Sequence, residues 1–345
     1  MAFMAGARGS DGSTATAEEP AGRGWMKAVA IGVLIPLVGA LFAAAFLWPM
    51  TSAKPGNIEL AVADPEQARA GIVQTLTANS PDMFVLTQVD TRDEAVAAIE
   101  KREVSGAVIF GDQIEMLTAS AGGAQVSQVL SQMATGMQAA MAAQGQQVQV
   151  TVTDVVPGTA RSGVSQLVIL PALIIGLAGS MVSFFVVKKP VRRFATLFTA
   201  AIVGGLAASA VLGPWFNVLE GSYWTNAADI ALGVLAIAGA ITGLGAALGP
   251  AGLALGAVAI ILFGNPWSGM MVPTEFLPTP WATIGHYFPN GQLITLMRSL
   301  AYFPDASTGA QWGVLSIWAG AGLLLLALGS LLHSRRSRSA RAVAA

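Results

Sequence analysis

The 345-residue sequence predicts an α-helical integral membrane protein with six transmembrane helices and a small extracytoplasmic α/β domain. Three observations predict it. Hydrophobic residues make up 54% of the chain and charged residues only 11%, whereas a soluble domain carries roughly 25% charged side chains. Charge-free apolar runs near the length a bilayer core demands, about 20 residues per helix, recur six times. The charges are also segregated: twelve of the 19 acids lie between positions 51 and 165, and ten of the 18 bases gather at span ends.

Residues 1–24 hold Gly, Ala, Ser, Thr and Glu without periodicity and read as a disordered cytoplasmic leader. The first span runs from Ala28 to Met50 within residues 25–50. Its apolar stretch exceeds the roughly 7–15 residues of a signal-peptide core, so it reads as an uncleaved anchor, with cleavage near Thr51-Ser52-Ala53 as the alternative.

Residues 51–165 contain twelve acids and six bases and read as an ordinary soluble module. Ile58 to Ala63 is a β-rich run. Asp64-Pro65-Glu66-Gln67 then offers a helix start with Pro at the first helical position, and Ala68, Ile72 and Leu76 form one helical face. A second strand at Phe84 to Val89 precedes Thr91-Arg92-Asp93-Glu94, a capping-box pattern. Gly106 to Phe110 and Ile114 to Thr118 read as strands, and the alternation predicts a small α/β sandwich.

From Gln125, apolar residues at Val126, Val129, Leu130, Met133, Met137 and Met141 follow a helical period. No Asp, Glu, Lys or Arg occurs between Glu115 and Asp154. The uncharged helix is either a partner-binding or self-association face or a core helix lying on the sheet. Val148 to Val152 is the last strand.

The remaining spans fall within residues 166–333: Gln166 to Val187, Phe194 to Leu212, Ile230 to Leu248, Ala251 to Gly264 and Val314 to Leu332. Gly249-Pro250 is a tight turn, because proline cannot continue the hydrogen-bond ladder. Gly245, Gly249, Gly252 and Gly256 form small-xxx-small pairs suited to close helix packing. None of the six predicted spans holds an ionisable residue, Asp229 being placed at the outer mouth of the fourth. Ion coupling, which places such residues inside the membrane, is disfavoured on that ground.

Orientation follows from Lys and Arg at span ends, which stay preferentially cytoplasmic. Lys188, Lys189, Arg192 and Arg193 follow the second span, Arg335, Arg336, Arg338 and Arg341 the sixth, and Arg23 and Lys27 precede the first. All three clusters predict a multi-pass protein of the inner (plasma) membrane with both termini, including the basic tail at 334–345, in the cytoplasm.

The stretch 265–303 carries Pro266, Pro273, Pro278, Pro280 and Pro289 among Trp267, Phe276, Trp281, Tyr287 and Phe288. It is too broken by proline to span, and its aromatics favour the membrane interface. It therefore reads as a re-entrant outer segment, with an aromatic surface loop as the alternative. Glu275, Pro278, Trp281, His286, Pro289 and Arg298 are its candidate residues for a substrate path.

Composition excludes much chemistry. A net charge of −1 gives no basic stripe for nucleic acid. With no cysteine there are no disulfides, thiolate metal sites or cysteine nucleophiles. Neither GxxxxGK[ST] nor GxSxG occurs, and the only histidines are His286 and His333. No enzyme activity, cofactor or metal is expected.

A basic-flanked first span, an outer α/β domain with "DEAVAAIEKREVSGAVIF" at Asp93 to Phe110, five further spans and "MMVPTEFLPTPWATIGHYFPNGQLITLMRSLAYF" after the fifth span together resemble the ABC type 2 exporter permeases. The same architecture is similar to phage-infection-protein-like envelope proteins. The resemblance covers roughly residues 25–333. It implies a dimer, export of a lipophilic or amphipathic substrate such as a lipid, drug or envelope precursor, and a separate cytoplasmic ATPase. It also implies that Pro278, Pro289 and Arg298 shape the re-entrant element and that Lys188 to Arg193 stand where the ATPase is touched. That loop is shorter than the family's coupling helix, so the basic cluster reads equally as a topology anchor. The alternative is a non-transporting envelope protein whose outer domain binds a partner.

Overall fold

A computed structural model of the chain describes residues 21–63, 82–111, 113–145, 148–158, 169–270 and 272–343. The predicted leader, the helix expected after Ala63 and the start of the second span lie outside the described residues. The chain divides into two compact units, Met1–Ala45 and Phe46–Ala345. Helix α1 (Ala21–Ser52) supplies the described part of the first.

The second unit contains a five-stranded sheet and a helical bundle. Its strands are β1 (Ile58–Ala63), β2 (Phe84–Val89), β3 (Gly106–Phe110), β4 (Ile114–Thr118) and β5 (Val150–Asp154), in spatial order β2-β1-β3-β4-β5. Only β3 and β4 pair antiparallel; the other neighbours are parallel. Four of the five strands have the bounds read from sequence, and the fifth begins two residues later than expected, at Val150.

Helix α2 (Arg92–Glu100) starts at Thr91, whose hydroxyl accepts from the Glu94 N–H at 3.2 Å. Glu94 reaches back to the Asp90 N–H at 2.8 Å, one residue earlier than the usual reciprocal contact. Through Ala95, Ala98 and Ile99, α2 packs beside Ala61, Ala107 and Leu117. Helix α3 (Ala124–Ala143) is the uncharged helix, and Val126, Leu130 and Ala134 bury it against Ile58, Leu60, Val108 and Met116. One side of it is thus a core face on the sheet, while Gln125, Gln128, Gln132 and Gln138 on its uncharged outer side are exposed.

The bundle comprises α4 (Ile169–Phe185), α5 (Pro190–Ala210), α6 (Tyr223–Leu248), α7 (Pro250–Val258), α8 (Trp281–His286), α9 (Pro289–Tyr302) and α10 (Gly309–Val343). Helices α5 and α7 each run on into a π-helical turn, Val211–Trp215 and Ala259–Gly264. Among the described residues, four helices are long and apolar enough to cross a membrane: Gly24–Pro49, Pro190–Trp215, Tyr223–Leu248 and Gly309–Leu332. The other two predicted spans, Ile169–Phe185 and Pro250–Gly264, are shorter apolar helices.

Glycine contacts reveal the helix directions. A Cβ on Gly176 would meet Ile237 and one on Gly245 would meet Phe184, so α4 and α6 run parallel. Gly205 faces Ala227 and Ala231, while Leu197 clusters with Ala238, making α5 antiparallel to α6. Gly252 meets Leu244 and Gly256 meets Ile241, so α7 returns antiparallel along α6. Gly239 and Gly243 of α6 lie against Gly322, and Ala246 against Gly329, a parallel backbone-to-backbone seam with α10. Gly249 differs from its predicted packing partners: nothing lies near it, and its φ of 74° and ψ of −157° form the turn itself.

Candidate functional site

The proline-rich segment 265–303 is docked against the sheet domain from two sides. Lys54 and Gly56, just before β1, donate backbone hydrogen bonds to the carbonyls of Phe276 and Glu275 at 3.2 and 3.1 Å. Phe276 packs against the core between α3 and the sheet. Phe303, at the end of α9 and 2% exposed, belongs to the opposite core with Ala61, Ala98 and Leu117. The sandwich core is therefore completed by a residue more than two hundred positions downstream of α2.

Arg102 ties the same parts together. Its guanidinium donates to the Thr295 carbonyl at 3.0 Å and the Ser299 hydroxyl at 2.7 Å, and lies 5.2 Å from the Phe303 ring centre. Burial, reinforced by the nearby Arg298, pulls its pKa down to about 10, against the opposing pull of Glu275. Glu275 also acts on Glu59, whose carboxyl is raised first by partial burial and then by that like charge. Arg298 lines a cavity of about 10 Å³ with Ile169, Leu219 and Tyr302, space for one water at most.

The predicted residues of this segment thus divide. Glu275 and Arg298 converge on Arg102, which the sequence reading left out. Pro289 is buried as the first residue of α9. Trp281 joins an aromatic row, 5.6 Å from Trp48 and 4.5 Å from Trp267, which itself stands 5.2 Å from Phe263. The His286 side chain is exposed and its carbonyl accepts from Gln292. Pro278 contributes its carbonyl to the Trp281 N–H at 3.0 Å.

The basic cluster at the other end of the bundle also divides. Arg193 donates to the carbonyls of Val187 at 2.8 Å and Phe184 at 3.0 Å and lies over the Phe184 ring, closing the C-terminus of α4. Lys188, Lys189 and Arg192 are exposed. From Arg192 a groove of about 720 Å³ extends along α5 to Gly204, walled by Ile175 of α4 and the small side chains Ala195, Thr196, Thr199 and Ala200.

A third feature is absent from the sequence reading. Helix α6 begins at Tyr223, seven positions before the predicted span, so Asp229 lies about 9 Å inside the helix. Asp229 is 0% exposed, and both carboxylate oxygens lack a hydrogen-bond partner. Asn226, one turn earlier and 2% exposed, donates to the Glu220 carbonyl at 2.8 Å while its own oxygen has no partner. Ser222, the residue before the helix, was the sequence signal for the earlier start. Elsewhere Asn290 bonds Asn265 at 2.5 Å and the Ile260 carbonyl at 3.1 Å, joining α9 to the π-turn.

No three His, Cys, Asp or Glu side chains gather as a metal site among the described residues. A scan against protein-family models and searches of curated proteins and solved structures found no match for this chain.

Proposed function

We propose that the chain is a membrane permease for amphipathic molecules bearing an anionic head, working as a dimer and powered by a separate ATPase. The observation that carries this reading is the groove on α5. Its 720 Å³ falls in the size range of small-molecule sites. The twelve positions from Arg192 to Gly204 span about 18 Å of helix, roughly half of a 30 Å hydrocarbon core. An open groove one leaflet long, lined by small and apolar side chains with a guanidinium at the headgroup end, matches an anionic lipid-like cargo.

The alternating helix directions support six crossings with both termini cytoplasmic. In that arrangement α4 and α7 are the short crossings, and Arg192 opens on the cytoplasmic leaflet. The outer domain, docked on the segment after α7, would then receive or gate the cargo. Binding of a fluorescent anionic phospholipid to the purified protein tests the reading. Arg192→Ala should weaken that binding about tenfold while leaving a zwitterionic analogue unchanged. Failure of the wild-type chain, alone or with an ATPase, to bind or move any lipophilic substrate refutes it.

A second reading, a non-transporting envelope interaction protein, is favoured by one observation. Only residues 186–189 separate α4 from α5, and Arg193 is engaged at the end of α4, leaving no helix to couple an ATPase there.

A further inference from the structure

We propose that Asp229 and Asn226 form a buried binding site for one monovalent cation, held either as a proton on the carboxyl group or as an alkali ion between the two side chains. The two residues are three positions apart on α6 and so share a helix face. Between them they present three unpartnered oxygens: both carboxylate oxygens of Asp229 and the amide oxygen of Asn226. The amide orientation is set by its N–H, which donates to the Glu220 carbonyl, leaving the oxygen to its own face. A cluster of acceptors without a donor is electrostatically incomplete, and a positive charge completes it.

The surroundings supply no such charge. Helices α4 and α7 carry no ionisable residue. On α5 the only charges, Arg192 and Arg193, lie in the first turn, whereas Gly205 near its other end is what meets this part of α6. His333 and the arginines of α10 lie beyond the far end of the α6 seam. On α9, Arg298 acts with Glu275 and Arg102, and no neighbouring charge acts on Asp229. Contacts of Gly233 with Leu293 and of Gly221 with Leu300 bracket Asp229, placing it level with the buried apolar residues Leu296 and Met297. A lone carboxylate in such a wall is too costly to persist without a bound cation. An ionisable group inside a membrane helix marks an ion or proton pathway by default.

This inference rests on the bundle alone and is independent of the lipid groove and of any ATPase. If both hold, the cation gates the ATP-powered permease.

The test uses the purified full-length chain and its Asp229→Asn variant, a neutral isostere. Thermal unfolding is followed across a pH series with choline as the only added cation, and across sodium against choline at fixed pH and ionic strength. The wild type is expected either to lose about 2 °C per pH unit on going alkaline relative to the variant, the proton arm, or to gain a comparable amount with sodium, the alkali arm. The variant should show neither dependence. Identical pH and sodium responses in both proteins overturn the proposal. Should Asp229→Asn fail to fold, infrared spectroscopy of the wild type decides. A protonated carboxyl band or a sodium-shifted carboxylate band supports the site, and a carboxylate band insensitive to both sodium and pH overturns it.

Discussion

The parallel seam between α6 and α10 makes a prediction that separates two glycines two residues apart on one helix. A Cβ on Gly322 would lie 2.6 Å from the Gly239 carbonyl oxygen, with the Gly239 carbonyl carbon and the Ala240 nitrogen closer still. All three are backbone atoms, so no side chain can swing aside, and the helices must part by about 1 Å to restore ordinary contact. A gap of that size forfeits a quarter to a half of each local dispersion contact, and inserting a methyl group into a packed interior costs about 1–3 kcal/mol. Replacing Gly by Ala returns up to about 1 kcal/mol through helix propensity. Gly322→Ala is therefore expected to destabilise by about 1–2 kcal/mol. Gly320→Ala meets nothing within 4 Å, and should stabilise by about 0.5–1 kcal/mol. Denaturant unfolding in detergent micelles, followed by circular dichroism, measures both. If Gly322→Ala proved as stable as Gly320→Ala, the backbone-to-backbone seam would be refuted.

Arg102→Met keeps an apolar stem but loses the charged bonds to the Thr295 carbonyl and Ser299 hydroxyl. It should weaken docking of the sheet domain on α9 by about 1.5–3 kcal/mol, read as faster amide hydrogen exchange in residues 295–303. Thr91→Ala removes the cap on the Glu94 N–H, and a loss of about 1 kcal/mol in equilibrium unfolding is the expected result. The paired Arg92 guanidinium, bonded at 2.7 Å, lowers the Glu115 carboxyl below its ordinary value of 4.5. The stabilisation is thus present above that ordinary value and disappears as the pH falls through the lower, folded-state value. Arg92→Gln should flatten the wild-type loss of sheet-domain stability in that acidic window, measured by acid titration of near-ultraviolet circular dichroism.

Most of the sheet domain was legible because its signals are local. Strand alternation, the Thr91 cap and the helical period of Val126, Leu130 and Met133 each depend on residues within one or two turns. The same locality explains the misses. Asp229 was placed at the mouth of its span because a hydropathy window ends at the last charge, whereas the helix begins six residues earlier, where its backbone bonds and neighbouring helices support it. Arg102 is one of four consecutive charges, Glu100 to Glu103, and only its contacts with Thr295, Ser299 and Phe303 distinguish it from Lys101. Ile58, Leu60 and Met116 cover the apolar side of α3, as a core helix requires, and its neutral Gln-bearing side is exposed.

The candidate residues of the proline-rich segment had a similar fate. Their aromatic and proline content marks the short, broken helices and turns seen between Asn265 and Phe288. Periodicity could not foretell that Glu275 would act on Glu59, or that Trp281 would sit edge-on to Trp48. Those partners come from positions more than two hundred residues upstream.

The sequence by itself determined the apolar, membrane-compatible character of the chain and the order of its elements. Both follow from composition and short-range periodicity, which every stretch of backbone carries with it. Only the tertiary structure decided which polar groups are left without partners, where glycines let backbones touch, and how the outer segment completes the core of the sheet domain. Burial and hydrogen-bond satisfaction are properties of pairs brought together across the chain, so Asp229 acquires its meaning only when the helices around it offer no donor and no charge.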